Sequence, residues 1–247
     1  MEIHELVVGP LKTNCYIVTS DMNHAVIIDP GFDAEKIAAK VNELGAKPKF
    51  MLLTHGHFDH ILGVQFLKET YGVKFAMSSK DDFLRGMMSE NFAYFCSGTV
   101  MPAPEIDVDM EHIPSIQFGN TELKIIRTPG HTPGGVCLYH QPSKQMFTGD
   151  TLFRESIGRT DLLGGDYDQI MESIVKKILP LGDEVRIYPG HGADSSVGHE
   201  AMYNPFVAEV LQGGFNQPFE IFERSHANNF VTVVKVFSLG VIVQALN

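Results

Sequence analysis

The sequence predicts an α/β chain, of the α+β kind, in which an antiparallel strand meander leads into a strand–helix–strand unit and a second set of strands follows. Three observations predict it. Short β-prone runs near the start are separated by turn chemistry. Between Phe50 and Met77 a buried-strand run, a helical-period segment and another strand run alternate. The third is positional: polar residues cluster where predicted strands stop, as in Thr54-His55-Gly56-His57-Phe58-Asp59-His60, and open α/β layers place their ligands at the carboxyl ends of strands.

In chain order, Ile3 to Val8, Cys15 to Thr19 and Ala25 to Ile28 are the meander, broken by Gly9-Pro10 and by Asp21-Met22-Asn23. Asp29-Pro30-Gly31 ends the third strand, and Asp33 to Leu44 carries apolar residues at helical spacing before Gly45 closes the helix. Phe50 to Leu53 reads as a buried strand, Ile61 to Thr70 as a helix and Val73 to Met77 as the next strand. From Asp81 to Pro114, Met87, Met88, Phe92, Tyr94, Phe95 and Met101 follow no sustained period. A short helix and a covering loop are expected there, either walling a pocket or padding the core. Thr121 to Arg127, Val136 to His140 and Gln145 to Thr148 form the second strand set. The stiff turn Thr128-Pro129-Gly130-His131-Thr132-Pro133-Gly134-Gly135 lies between the first two. Gly149-Asp150 follows the third. Asp166 with Gln169 makes a capping box for a helix to Ile178, and the strand Glu184 to Tyr188 runs into Pro189-Gly190-His191-Gly192.

His55, His57, Asp59 and His60 place four metal-binding side chains within six positions. The two histidines, two apart, point the same way only from an extended or loop backbone, whereas Asp59 and His60 lie towards the start of the helix. One loop can therefore offer two ligand pairs to two adjacent points. Imidazole and carboxylate suit zinc, iron or manganese, and no cysteine is near enough to suggest a structural thiolate site. His131, Asp150 and His191 each stand where a predicted strand stops; singly they read as core or loop histidines and a turn-forming aspartate, and jointly they supply what a two-metal centre still lacks. Asp29 is either a carboxylate behind that centre, orienting a histidine, or a turn former.

The 247 residues suffice for one large domain or a domain with an appendage, and 44% hydrophobic with 20% charged residues is an ordinary globular composition. A formal charge of −11 argues against nucleic acid as a partner and means that an anionic substrate needs local cations to draw it in. Cys15, Cys96 and Cys137, odd in number and widely spaced, fit reduced thiols, and Cys15 and Cys137 fall in apolar strand runs as core residues do. No basic-then-apolar leader is visible at the start, so a cytoplasmic protein with no membrane partner is expected.

These motifs together resemble the metallo-β-lactamase-fold hydrolases. The matching elements are Thr-His-x-His-x-Asp-His at 54–60, Thr-Pro-Gly-His-Thr-Pro-Gly at 128–134, Thr-Gly-Asp-Thr-Leu-Phe at 148–153 and Pro-Gly-His-Gly at 189–192, with Asn14-Cys15-Tyr16 and Asp29-Pro30-Gly31 beside them. The resemblance implies a four-layer αββα sandwich with the metal site at one sheet edge. Gly149 to Phe153 followed by Ser156-Ile157-Gly158-Arg159-Thr160-Asp161 is similar to the short glyoxalase II-like branch. Carried over by motif, His55, His57 and His131 hold one metal, Asp59, His60 and His191 the other, and Asp150 bridges them. The implied cofactors are two divalent ions, zinc first, with iron or manganese as alternatives. The implied reaction is attack of a metal-activated hydroxide on a small-molecule thioester such as S-lactoylglutathione, with Asp59 and Asp150 orienting the nucleophile. The persulfide dioxygenase branch resembles the same motifs, including Gly-Arg-Thr-Asp at 158–161, and implies a single iron on His55, His131 and Asp150.

Longer glyoxalase II enzymes grip glutathione with a basic helical carboxyl-terminal domain, whereas only Arg224 and Lys235 are basic after His191 here. Arg154 and Arg159 are therefore the candidates for contacting a substrate carboxylate, or else they are loop-anchoring ion pairs. The catalytic domain is expected over residues 1–204 and an extension over 205–247. Phe230 to Leu246 is too short, too β-branched and, with Lys235, too interrupted for a membrane helix. Strands around Ser238-Leu239-Gly240 are expected, packed on the domain or pairing with another subunit as a homo-oligomer.

Overall fold

The computed structural model describes residues 1–89, 92, 103–214, 219–224, 231–237 and 240–245. Strands β1 (Glu2–Val8), β2 (Thr13–Thr19) and β3 (His24–Ile28) form the expected antiparallel meander. Helix α1 (Ala34–Glu43) then crosses to β4 (Lys47–Leu52), which lies parallel to β3. Two helices, α2 (Phe58–Ile61) and α3 (Val64–Tyr71), precede β5 (Lys74–Met77), and after α4 (Asp82–Gly86) the edge strand β6 (Val108–Asp109) completes a six-stranded mixed sheet. A single helix over 61–70 is thus corrected to two. The Gly63 N–H, which would continue the first helix, is taken by the Pro30 carbonyl at 2.8 Å. Asp59 and His60 consequently sit in a separate one-turn helix.

The second sheet is built from β7 (Ser115–Phe118), β8 (Thr121–Arg127), β9 (Val136–His140), β10 (Gln145–Gly149), β13 (Arg186–Pro189) and β14 (Ser195–Ser196), in the order β14-β13-β10-β9-β8-β7. A two-stranded hairpin, β11 (Leu152–Phe153) and β12 (Ser156–Ile157), leads towards helix α5 (Tyr167–Ser173), which continues to Ile178 in wider turns. The Asp166 carboxylate caps it by accepting from the Gln169 N–H at 3.0 Å, as the capping-box spacing requires.

The two sheets meet face to face. Tyr16 on β2 and Phe147 on β10 have ring centroids 5.2 Å apart, and one buried cluster joins Ile27, Met51 and Phe75 to Phe118, Leu123 and Phe147. Ile37, Val41, Val64 and Leu67 of α1 and α3 pack into it, while Ile170 and Met171 of α5 pack with Cys137, Met146 and Ile187 in a second cluster. The result is the four-layer αββα sandwich. Burying one large apolar side chain contributes roughly 1.5–3 kcal/mol. The sandwich can therefore hold the strand ends in place while they carry buried polar groups that cost stability.

Helix α6 (Val197–Tyr203) ends at Asn204, whose carboxamide oxygen caps α7 (Pro205–Glu209). Val207 and Val210 belong to the second core cluster, so the packed core continues beyond the Asn204-Pro205 junction. A separate antiparallel sheet of β15 (Phe219–Arg224), β16 (Val231–Phe237) and β17 (Gly240–Ala245) follows. The expected strands on either side of 238–239 are present, and those two residues lie outside the described ones, as do Tyr94, Phe95, Cys96 and Met101. Among the described residues no helix is long and apolar enough to cross a membrane.

Candidate metal centre

Every predicted ligand leaves the end of a strand on the same rim of the sandwich. Beyond β4, Leu53 donates to the Ala76 carbonyl at 3.0 Å and Val136 to the Thr54 carbonyl at 2.8 Å, which ties the first sheet to the start of β9 in the second. His55 and His57 follow directly in an open loop, and Asp59 and His60 occupy the single turn of α2. His131 stands in the turn between β8 and β9, Asp150 follows β10, and His191 follows β13.

Three sets of ligand atoms each converge within 4.8 Å: His55 with His57 and His131, Asp59 with His60 and His191, and His55 with His60 and Asp150. In the first, His131 Nε2 is 2.9 Å from His57 Nδ1. In the second, His60 Nε2 and His191 Nε2 are 3.3 Å apart, and Asp59 Oδ2 lies 3.2 Å from His191 Nε2. Asp150 stands between them: its Oδ2 is 3.6 Å from His131 Nε2 and 3.7 Å from His191 Nε2, and its Oδ1 is 3.6 Å from His60 Nε2.

The surrounding protein fixes which ring nitrogens face inward. Thr54 Oγ1 donates its only proton to Asp29 Oδ2 at 2.7 Å, so at 3.1 Å from His55 Nδ1 it can only accept. The His55 proton therefore sits on Nδ1 and Nε2 keeps its lone pair. The Arg159 carbonyl, 2.7 Å from His131 Nδ1, imposes the same tautomer there. Asp29 Oδ2 is 3.1 Å from His60 Nδ1, and Asp29 also accepts the Thr54 N–H at 2.8 Å, so it is the carboxylate behind the centre rather than only a turn former. Thr13 Oγ1 donates to Asp59 Oδ2 at 3.0 Å.

The electrostatics divide the two clusters. Burial, then the neighbouring imidazoles, holds His55 well below the ordinary histidine range, and burial with His131 lowers His57 to about 3. Burial also opposes charge on His60, but Asp59, Asp29 and Asp150 overcome it and raise that residue to about 10. Burial would raise Asp59, yet His60 and His191 hold it below the usual carboxylate range. His191 is raised despite burial through its bond to Asp59 and the charge of Asp150. In one cluster His55 and His57 are thus held neutral, and the other is a charged histidine–carboxylate group.

A divalent cation fits this chemistry. His55 Nε2 and Asp150 Oδ1 are buried with no hydrogen-bond partner among the described residues, and an orphaned lone pair in such a place is costly. Three imidazole nitrogens and a carboxylate are a borderline donor set, suited to zinc or iron, and they leave the identity of the ion open.

A cleft of 680 Å³ opens onto the centre. Asp59, Asp150, His57, His131 and His191 lie on its floor, and Leu11, Phe58, Leu84, Phe153, Leu162 and Leu163 are among its apolar walls. Arg159 lines it too, with an exposed guanidinium bound to Asp161 through two bonds of 2.8 and 2.9 Å. Arg154 is outside that lining and lies 3.9 Å from Glu155. The segment after Asp81 does contribute wall, through Leu84 and Met87.

Of the supports, sequence reasoning raised Asp29 and missed the others. Asp81, fully buried, accepts from the Gly56 and Gly134 N–H groups and from Thr132 Oγ1. Asn14 Nδ2 donates to the Pro189 and Gly192 carbonyls at 3.0 and 2.8 Å, and the Tyr16 hydroxyl to Pro189 at 2.6 Å, clamping the turn that carries His191. The role of the Arg159 backbone, as opposed to its side chain, was not foreseeable either.

Residues 8–191 match the family model described as the metallo-beta-lactamase superfamily. Over 214 residues the chain is 36% identical to the hydroxyacylglutathione hydrolase GloC of Haemophilus influenzae, covering 84% of this chain and 98% of that one. Among solved structures it is similar to the BLEG-1 B3 metallo-beta-lactamase, with a TM-score of 0.78 at 35% identity over 83% of this chain and 99% of that one. The di-iron-bound form of TTHA1623 gives a TM-score of 0.74 at 35% identity over 82% and 99%. ETHE1 from Myxococcus xanthus gives 0.70 at 26% over 84% and 85%.

Proposed function

The chain belongs to the metallo-beta-lactamase superfamily, and on that footing we propose that it is a dinuclear metal-dependent hydrolase of a thioester, S-lactoylglutathione or a related S-acyl thiol. The observation that carries the proposal is the position of the Asp150 carboxylate, within 3.7 Å of ligand nitrogens from both clusters. His55, His57 and His131 would hold one ion, Asp59, His60 and His191 the other. When bound, such ions acidify water to a nucleophile near neutral pH and polarise a carbonyl oxygen.

The chain's own residues do the rest. Asp59, held as a carboxylate, and Asp150 both reach the cleft floor, where they can orient the attacking water and accept its hydrogen bonds. Water adds to the thioester carbon, the C–S bond breaks, and an acid and a thiol leave. A protein nucleophile is unnecessary: Cys15 and Cys137 are buried, and burial pushes the Cys137 thiol to about 11. The apolar walls suit the non-polar part of an acyl thiol. Arg159 is the cation positioned to meet a substrate carboxylate, by exchanging Asp161 for it.

The likeness to ETHE1 supports a second reading, a single-iron persulfide dioxygenase using His55, His131 and Asp150. Metal analysis of protein purified without added metal, with parallel assays of S-lactoylglutathione hydrolysis and of oxygen uptake with glutathione persulfide, separates the two. Two ions per chain and thioester turnover are expected, and His191→Ala should nearly abolish that turnover. One iron per chain with oxygen consumption that survives His191→Ala would overturn the proposal.

A further inference from the structure

We propose that Asp81 is a positioning residue that braces the His55–His57–His131 cluster selectively, leaving the Asp59–His60–His191 cluster to separate supports. Its Oδ2 accepts from the Gly56 N–H at 2.9 Å and from Thr132 Oγ1 at 2.7 Å, and its Oδ1 from the Gly134 N–H at 2.6 Å. Gly56 stands between His55 and His57, and Thr132 and Gly134 directly follow His131. One buried carboxylate therefore pins the two segments that must meet for three imidazoles to converge.

The contact is fitted on both sides. A Cβ on Gly56 would lie 2.8 Å from the Asp81 Cβ, and one on Gly134 2.7 Å from its Cγ, so both segments approach as closely as they do because neither carries a side chain there. Asp81 is itself in neither ligand cluster. Among the described residues its side-chain hydrogen bonds come from these two segments alone. The second cluster relies on other groups: Asp29 behind His60, Thr13 on Asp59, and Asn14 with Tyr16 on the His191 turn. Asparagine at position 81 would present its amide N–H to at least one of three inward-facing donors, pushing the loop and the turn apart.

The inference rests on the metal-centre reading and not on the identity of the substrate. Its test is cobalt(II) titration of chelator-stripped protein, followed by proton NMR of the shifted, exchangeable imidazole N–H signals, one for each ligating histidine. Five are expected in the unaltered protein, from His55, His57, His131, His60 and His191. In Asp81→Asn the first three should appear only at about 10–100-fold higher free cobalt, the range seen when a ligand's outer partner is lost, while the other two stay within about twofold. Thr132→Val, which removes one of the three bonds and preserves shape, should shift the same three signals less, and Thr132→Ser should restore them. If Asp81→Asn does not fold, Thr132→Val carries the test. Equal shifts in both sets, or none in the first, overturn the brace. Fewer than five signals in the unaltered protein would instead count against two ions, and the His55, His57 and His131 signals would still decide whether Asp81 matters.

Discussion

His57 and His60 are three residues apart in one site, yet their pKa values are shifted in opposite directions. Burial and His131 depress His57 to about 3, whereas on His60 the three carboxylates of Asp59, Asp29 and Asp150 outweigh burial and raise it to about 10. In the unfolded chain both return to an imidazole value of about 6.5. For His57, the unfolded state binds the extra proton as the pH falls from there towards 3, so stability is lost on the acid side. For His60 the folded state holds the extra proton, so its contribution is complete below about 6.5 and is lost as the pH rises through about 10. Urea denaturation of chelator-treated protein from about pH 4 to 10 should therefore show a maximum with losses on both limbs. His60→Gln should flatten the alkaline limb. Persistence of the alkaline loss in that variant would show that another group causes it.

At the level of the elements, the site is a set of strand ends held in register by side chains from strands that contribute no ligand. The start of β2 illustrates this: Asn14 and Tyr16 bind carbonyls of the turn after β13, and the Asn14 N–H donates to the Gly190 carbonyl at 2.7 Å. Asn14→Ala removes two hydrogen bonds, leaving the Pro189 carbonyl to the Tyr16 hydroxyl and the Gly192 carbonyl without the amide, and should cost about 1–3 kcal/mol in urea denaturation of the metal-free protein. A change below about 0.5 kcal/mol would mean that water replaces the amide without loss. Asn14 was visible in the sequence as part of a motif, but not its purpose, because β2 and β13 are distant in sequence and no periodicity reports their contact. The same limit hid Asp81. Ligands were legible because histidines and aspartates at strand ends are chemically conspicuous, whereas a lone aspartate in an aperiodic stretch is not. The β11–β12 hairpin escaped because two residues per strand are too few to show alternation. The break at Gly63 escaped because apolar spacing continued through it.

For the whole molecule, metal and tail act at opposite ends of the chain's economy. Ligands binding the folded state alone stabilise it by about 2.7 kcal/mol at a hundredfold excess over Kd, and for a chain of this size one kcal/mol moves Tm by roughly 2–4 °C. Chelation should therefore lower Tm by roughly 5–10 °C in scanning calorimetry, and an unchanged Tm would argue against a structural grip on the ions. The tail contributes differently. Strands β15 to β17 form their own sheet, bonded to neither six-stranded sheet among the described residues, and its outer strands β15 and β17 each pair on one side only. Exposed sheet edges invite pairing with another chain. The family match ends at residue 191, and GloC aligns over 98% of its own length while covering 84% of this chain, so the sandwich and its ligands do not call for that sheet. Removing residues 215–247 should leave metal content and turnover unchanged while lowering the sedimenting mass from a homo-oligomer to a single chain. Equal assembly states before and after truncation would dismiss the tail as an interface, and loss of metal would show that the sheet supports the site after all.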